Sequence, residues 1–307
     1  MEEKAKKSYI IRDPFSDDRI DGIVQKLLSV YSQMPSTTGC LEHINKSKEE
    51  GGCGGWCCAK QSPQVLYSEF INTWKYILKS WSINDVVEVI ERSIKNYLSQ
   101  DAAKGCVFFD KEKKLCKIYK TRSFNCRIYS IIPQKEFEAR IKRLILEYKD
   151  KFDVMLRDQC DLVKTENGKE VTIEDTDKWW KELSKIESIL VSKDQINDQA
   201  EGSYRAYHDH ILLQLFHPNT LMDLTQIRLN GTKEERQKAI NVLVKSVWDK
   251  VGQKLKNTMS GRNNEQQEIT TKETKPCQCE KPETECKCNS TECQCEHKHS
   301  ESCHSNT

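Results

Sequence analysis

The sequence predicts a mainly α fold: a helical body with a small irregular cysteine-rich metal-binding insert and a short β-hairpin, followed by a disordered Cys/His-rich C-terminal tail. Three observations carry that expectation. Apolar residues recur at three- and four-residue steps in several long windows. The 15 cysteines gather in two blocks instead of spreading evenly. Beyond about Gly261 the chain loses almost all its apolar residues, so nothing there can build a core.

Taken in order, residues 17–32 place Ile20, Ile23, Val24, Leu27, Leu28 and Tyr31 on one helical stripe. From Gln33 to about Ser62 the chain is rich in Gly, Ser, Lys and Glu and reads as a loop holding four cysteines. It has no apolar face to bury, so a metal ion is the natural agent to order it. Pro63 suits the first turn of the next helix. Residues 82–98 give the clearest stripe, with Ile83, Val86, Val87, Ile90, Ile94, Tyr97 and Leu98 on one face and Ser82 placed to cap the start.

Gly105–Tyr119 breaks the helical period. Val107, Phe108 and Phe109 precede a charged turn, Asp110–Lys114, and Leu115, Ile118 and Tyr119 follow. This reads as a hairpin with Cys106 near one end and Cys116 across from it. Further helices are expected over 134–157, 176–191, 200–216 and 232–256, the last opening on Thr232 and Glu235 as a capping box. The expected organisation is a helical body over 1–260, a cysteine-cluster domain within it at about 40–135, a flexible linker over 261–276 and a tail over 277–307.

Charge and composition narrow the function classes. A net charge of +2 gives no clear nucleic-acid signal. The start, MEEKAKKSYIIRDPFSDD, has no apolar signal core, and no apolar run is long enough to span a bilayer. A cytoplasmic protein with no membrane contact is expected. In a reducing compartment clustered cysteines read as metal ligands before disulfides.

The core constellation is Cys40, then Cys53-Gly54-Gly55-Trp56-Cys57-Cys58, then Cys106, Cys116 and Cys126, with nine residues between successive members of the last group. A glycine-rich loop lets several sulfurs converge without Cβ clashes. Thiolates in such a set suit zinc or iron, including an iron–sulfur cluster, and spacing does not separate these. Seven thiolates exceed one tetrahedral site. One four-sulfur site plus a reactive pair, two sites sharing outside ligands, and a polynuclear cluster all fit. Cys160 reads as a small buried hydrophobe at a helix end, with completion of a site as an eighth sulfur as the alternative. Arg122 and Arg127 flank Cys126, either offsetting thiolate charge, holding an anion, or pairing with surface acids. His208, His210 and His217 read as ordinary surface or core histidines, and Trp179-Trp180 as a helix anchor. No phosphate-binding glycine loop and no nucleophile triad are visible by spacing, and catalysis is left open.

These residues resemble a known family. Cys53-Gly54-Gly55-Trp56-Cys57-Cys58-Ala59, followed by Ser62-Pro63-Gln64-Val65 and Ser68-Glu69-Phe70, is similar to the vicinal-cysteine loop of the YkgJ-type cysteine-cluster family. Cys116-Lys117-Ile118-Tyr119, Arg122 and Cys126-Arg127-Ile128-Tyr129 are similar to its closing element. The resemblance covers about residues 40–135 and implies a zinc- or iron-chelating domain. Two departures stand out. Many relatives have a C-x-x-C-x-x-C-C run, whereas here three residues separate Cys53 from Cys57 and the earlier cysteine lies back at Cys40. Many also have Arg-Pro where this chain has Arg122-Ser123, a change expected to alter loop stiffness more than chemistry. Domains of this type also occur in proteins similar to flagellin lysine N-methylases, so the resemblance also admits a metal-dependent modification enzyme. A third class is a zinc-stiffened module for a protein partner.

The tail repeats C-x-C three times. Cys277 pairs with Cys279, Cys286 with Cys288, and Cys293 with Cys295, and the segment closes with His297, His299, Cys303 and His304. Its composition is metallothionein-like. Alternating thiols with added imidazoles point to labile capture of soft or borderline ions.

Overall fold

The computed structural model describes residues 18–99, 105–139, 162–191 and 203–252, apart from Gly39, Asn45 and Lys48, together with Lys142, Cys160 and Leu255. The linker, the tail and most of the helix expected over 134–157 lie outside the described residues; 134–139 of that segment are helical. The described body is mainly helical, as the sequence predicts.

The first helix, α1 (Asp18–Tyr31), buries Ile20, Ile23, Leu27, Val30 and Tyr31 and leaves Leu28 exposed. The segment expected to be a plain loop carries short elements instead: β1 (Thr37–Thr38), α2 (Cys40–His43), α3 (Trp56–Lys60) and β2 (Gln64–Val65). Pro63 therefore leads into a strand, and α4 (Tyr67–Ser80) begins four residues later. After it, α5 (Ile83–Leu98) starts where Ser82 Oγ accepts from the Asp85 N–H at 3.2 Å, the cap the sequence expects. The hairpin is present as β3 (Phe109–Asp110) against β4 (Leu115–Cys116), and a one-turn helix, α6 (Phe124–Ile128), follows it.

In the second half, β5 (Lys164–Thr165) precedes α7 (Ile173–Leu190), which starts three residues earlier than expected because Thr172 and Asp175 form a capping box. Of the helix expected over 200–216, residues 200–202 lie outside the described residues. The described part is shorter, since Arg205–Ala206 forms β6 and pairs with β2 before α8 (Tyr207–Leu215) begins. An unexpected helix, α9 (Pro218–Asn230), has Pro at its first turn and His217 as its cap. Last, α10 (Lys233–Ser246) opens on the Thr232–Glu235 box and passes into a π-helical turn, Val247–Gly252.

Three antiparallel two-stranded ladders stitch distant chain together: β1 with β5, β2 with β6, and β3 with β4. The helices bury two apolar clusters. One is built from α4, α5 and α8, with Phe70, Trp74, Val86, Ile90, Ile94, Tyr207 and Ile211, and takes in Val107 and Phe108 ahead of the hairpin. The other joins Leu27 and Val30 of α1 to Leu66, Phe124, Ile128, Trp179 and Leu183. Trp179 is thus the helix anchor the sequence suggests. No helix among the described residues is long and apolar enough to cross a membrane.

Two buried carboxylates lock these clusters around the start of α4. Glu187 on α7 accepts the N–H groups of Tyr67 and Ser68, both at 2.8 Å, and so closes the open end of α4. Glu69 accepts from Tyr31 Oη at 2.5 Å, the Phe124 N–H at 2.6 Å and the Leu66 N–H at 3.0 Å. Burial raises the Glu69 carboxyl above its usual value, and its donors pull the other way without cancelling that rise.

His210 behaves as the core histidine expected of it. Its ring stacks on Phe70 at 5.0 Å, its Nε2 meets the Val65 carbonyl at 3.0 Å, and burial depresses its pKa to about 4. The unfolded chain takes up this proton near pH 6.5 while the folded chain does not until about pH 4. Stability is therefore present above pH 6.5 and lost as pH falls from there toward 4, by on the order of 3 kcal/mol. Urea midpoints measured from pH 7 to 4.5 should fall less steeply for His210→Phe than for the unmodified protein.

Candidate metal centre

The centre starts from the loop that leads into α3. Ser47 and Glu50 cap one another, the Ser47 N–H donating to Glu50 Oε2 at 2.8 Å and the Glu50 N–H to Ser47 Oγ at 3.3 Å. The chain then folds back: the Cys53 N–H donates to the His43 carbonyl at 3.0 Å and the Gly54 N–H to the Lys46 carbonyl at 2.8 Å. Gly54 and Gly55 both take positive φ, 57° and 70°. A Cβ on Gly55 would lie 2.3 Å from the Phe109 ring, so this position needs glycine for its backbone and for space. Gly55→Ala should destabilise the body by roughly 2–4 kcal/mol, combining left-handed strain with overpacking. Chemical denaturation of the variant checks this.

The turn launches α3 with Cys57 and Cys58 adjacent, their sulfurs 3.9 Å apart and unbonded. The hairpin arrives from the other side. The Cys106 N–H donates to the Cys58 carbonyl at 2.7 Å, and Cys116 stands opposite Phe109 in the β3–β4 register. The surface of α5 holds the hairpin in place: Arg92 Nη1 donates to the Phe109 carbonyl at 2.8 Å, Asn96 Nδ2 to the Gly105 carbonyl at 3.0 Å, and Lys117 pairs with Asp85 at 2.9 Å. Cys126 sits on α6, whose first N–H is the one bound by Glu69.

The structure thus gathers Cys40, Cys53, Cys57, Cys58, Cys106, Cys116 and Cys126, all as free thiols, in one region. It also brings in Cys160, for which the sequence favours a buried hydrophobe and leaves an eighth sulfur open. Cys160 is near enough to Cys40 for its charge to raise the Cys40 thiol. The cause is the β1–β5 ladder, in which Thr38 faces Lys164; residues just after Thr38 come beside residues just before Lys164. No local signal in the sequence announces that pairing.

Electrostatics describe a site that resists holding bare thiolates. Burial, then repulsion by Cys57, takes Cys40 to about 12. Burial, then Cys126, takes Cys116 to about 12. Cys126 stands at about 11 through burial, and Cys106 is also well above its usual value. Cys57 alone moves down, to about 7, chiefly through its hydrogen bond with Cys58. Burying many sulfur anions together is costly without a cation, and a thiophilic ion removes that cost. Among the described residues no three donors converge closely enough to hold an ion as they stand. The donor set fits zinc or iron by its chemistry, and binding entails drawing the sulfurs inward, to about 3.8 Å apart around tetrahedral zinc.

Arg122 lies beside this centre, and its charge lowers the thiol pKa of Cys40, Cys116 and Cys126. Its guanidinium rests 4.1 Å over the Tyr119 ring and donates to Thr37 Oγ1 at 2.7 Å. Arg127 lies 4.2 Å over the Tyr31 ring and ties its own turn through the Arg122 and Lys120 carbonyls. Both line a cleft of about 300 Å³ with Thr37 and Glu166. Ser123 corrects the sequence reading. It is fully buried and its hydroxyl donates to Cys126 Sγ at 3.6 Å, so replacing proline here changes the chemistry at a sulfur as well as loop stiffness.

The ligands expected in the tail lie outside the described residues, so the geometry of the centre includes none of them. They are Cys277 and Cys279 of the first C-x-C unit, Cys286 and Cys288 of the second, and Cys293 and Cys295 of the third, with His297, His299, Cys303 and His304 at the end.

Comparison with known proteins agrees with the geometry of the body. Residues 49–161 match the model of a family named CxxCxxCC and described as a "putative zinc- or iron-chelating domain". The match ends one residue past Cys160, so it spans seven of the eight described thiols and leaves out Cys40. No curated protein and no solved structure matches the chain.

Proposed function

We propose, from the premise that residues 49–161 form a domain of this zinc- or iron-chelating cysteine-cluster family, that the protein binds metal through the thiolates of its body and uses the tail to capture further ions. The observation that carries the proposal is that eight free thiols from chain segments 120 residues apart come into one region, four of them on or beside a loop that buries little apolar surface of its own. Among the residues between Cys40 and Lys60 whose side chains are described, the buried apolar set has one member, Ile44. The core therefore does not account for the order of this loop, and ion binding does. Arg122 compensates part of the sulfur charge. Clustered cysteines read as metal ligands in a reducing compartment, and we propose the cytoplasm on that ground.

The test is metal content with the visible spectrum on anaerobically purified full-length protein, beside a full-length variant with the seven tail cysteines changed to Ser. Tightly held zinc and no colour in the variant supports a chelating or structural site. Iron with acid-labile sulfide supports an iron–sulfur cluster. A variant with no stoichiometric metal overturns the proposal. The surplus on the unmodified chain measures what the tail captures, and equal content in both overturns the tail's role.

The modification-enzyme reading draws on one feature, the Arg122–Arg127 cleft beside the thiols. Its methylase form requires S-adenosylmethionine to raise the melting temperature. An unchanged melt with that compound removes it.

A further inference from the structure

We infer that the cleft beside the metal centre is a binding site for a small organic carboxylate, its head on the Arg122 and Arg127 guanidinium groups and its apolar body on Met34, Ile128 and Ile131. The inference goes beyond the metal-binding reading and does not depend on it. It gives a ligand to a space that sulfur chemistry leaves unused.

The charged end comes first. A guanidinium carries five N–H donors. Arg122 places one on Thr37 Oγ1 at 2.7 Å, and Arg127 places two, on the carbonyls of Arg122 at 2.9 Å and Lys120 at 3.2 Å. No remaining donor nitrogen of either group is both buried and unpartnered, so those donors open to solvent, and both residues line the cleft. Neither guanidinium has a carboxylate within ion-pair distance among the described residues. Arg92 and Arg228, by contrast, meet Glu88 and Asp209. Both cleft arginines are half-buried. Two such cations without an acid partner are costly to hold side by side, and an anion on them offsets that cost.

Geometry also holds the two forks ready. Arg122 lies 4.1 Å over the Tyr119 ring and Arg127 4.2 Å over the Tyr31 ring, and the Tyr31 hydroxyl is itself tied to buried Glu69. Stacking on one face fixes the plane of a guanidinium and leaves its edge free for a bidentate partner. Thr37, which orients Arg122, is fixed in turn by the β1–β5 ladder, where it faces Thr165. The Glu166 N–H closes the same edge on the Ser36 carbonyl at 3.0 Å. Little side-chain ordering therefore remains to oppose binding.

The rest of the lining chooses the class of anion. Met34 and Ile128 are buried and Ile131 is half-buried, which gives the cleft an apolar wall beside its charged end. Glu166 also lines it and is exposed, so a second negative charge on the ligand is disfavoured. A carboxylate carries a single charge, whereas a phosphomonoester carries about −1.5 to −2 near pH 7. The volume, about 300 Å³, lies at the small end for ligand sites. A short-chain or small cyclic carboxylate meets all three conditions.

The experiment is calorimetric titration of hexanoate into the full-length protein as purified anaerobically, with metal content measured on the same sample. One saturable site is expected. Acetate should bind at least about tenfold more weakly for want of an apolar body, and inorganic phosphate no more tightly than acetate. Arg122→Gln should weaken hexanoate by about tenfold or more, the loss of a charge-assisted pair of bonds. Arg127→Lys keeps the charge, loses the fork and should also weaken it. Ile131→Thr should narrow the gap between hexanoate and acetate. Lys185→Gln, which alters an exposed pair with Glu182 on α7, should change nothing. Circular dichroism shows which variants retain their helices, and the comparison is made on those. No saturable hexanoate site, the result expected if Arg122 serves only to offset sulfur charge, overturns the inference. So does a site that Arg122→Gln and Arg127→Lys both leave unchanged, or phosphate bound more tightly than hexanoate. Any of these in a sample that holds metal leaves the metal-binding reading standing, whereas hexanoate bound by a chain without metal overturns that reading alone.

Discussion

Replacing Glu69 by Ala is expected to lower the thermal midpoint of the protein by roughly 10 °C. The side chain is buried to 1% exposure and satisfies three donors from three parts of the chain: Tyr31 on α1, the Leu66 N–H ahead of α4, and the Phe124 N–H that opens α6. Removing it strands all three in an apolar setting, at about 1–3 kcal/mol per buried unsatisfied group, and the sum is tempered by relaxation to roughly 4 kcal/mol. Calorimetry on the unmodified and variant proteins measures it. A second readout separates this role from plain stability. Because Glu69 fixes the start of the helix that carries Cys126, metal affinity should fall in Glu69→Ala even at temperatures where the variant remains folded. Glu187→Ala, which frees the N–H groups of Tyr67 and Ser68, should match the stability loss while leaving metal affinity nearer that of the parent.

Stripping the metal should have an equally large but local effect. Hydrogen exchange in the metal-free protein is expected to speed by two or more orders of magnitude at the backbone amides of 49–60, with α4, α5 and α8 staying protected. The reason is where the apolar clusters lie. Those three helices contribute Phe70, Trp74, Val86, Ile90 and Ile211 to a core that needs no ion, whereas the α3 loop has turns and glycines but little to bury. Metal binding energy is folding energy for such a segment. Uniform loss of protection across all helices, or none anywhere, would contradict the assignment.

The parts of this fold that were legible in the sequence are those whose cause is local. The stripe of α5 and its Ser82 cap, the Thr232–Glu235 box, the hairpin and its turn follow from neighbours three or four residues away. The errors follow from partners that are far away. Pro63 looked like a helix start, yet the pairing of Gln64–Val65 with Arg205–Ala206 extends the chain there. The helix α9 escaped notice because its apolar residues run round the axis, leaving Met222 and Leu229 exposed and giving no stripe to read. The seven cysteines with conspicuous spacing were found by that spacing. Cys160 stands alone in the chain, and only the register of Thr38 against Lys164 shows where it goes. The contacts of Ser123 and Glu69 were hidden for the same reason, since a hydroxyl and a carboxylate in the sequence carry no mark of the sulfur or helix end they will meet.

The β1–β5 ladder also sets a timetable. Thr37 and Thr38 leave the ribosome well before Lys164 exists, and at about 5–20 residues per second the interval from Cys40 to Cys160 is roughly ten seconds. Through that interval four thiols near the front of the chain are already exposed while one of their companions is still being made. The stretch from Cys53 to Cys126 is complete sooner, so its thiols are all synthesised before Cys160 arrives to join them across the ladder.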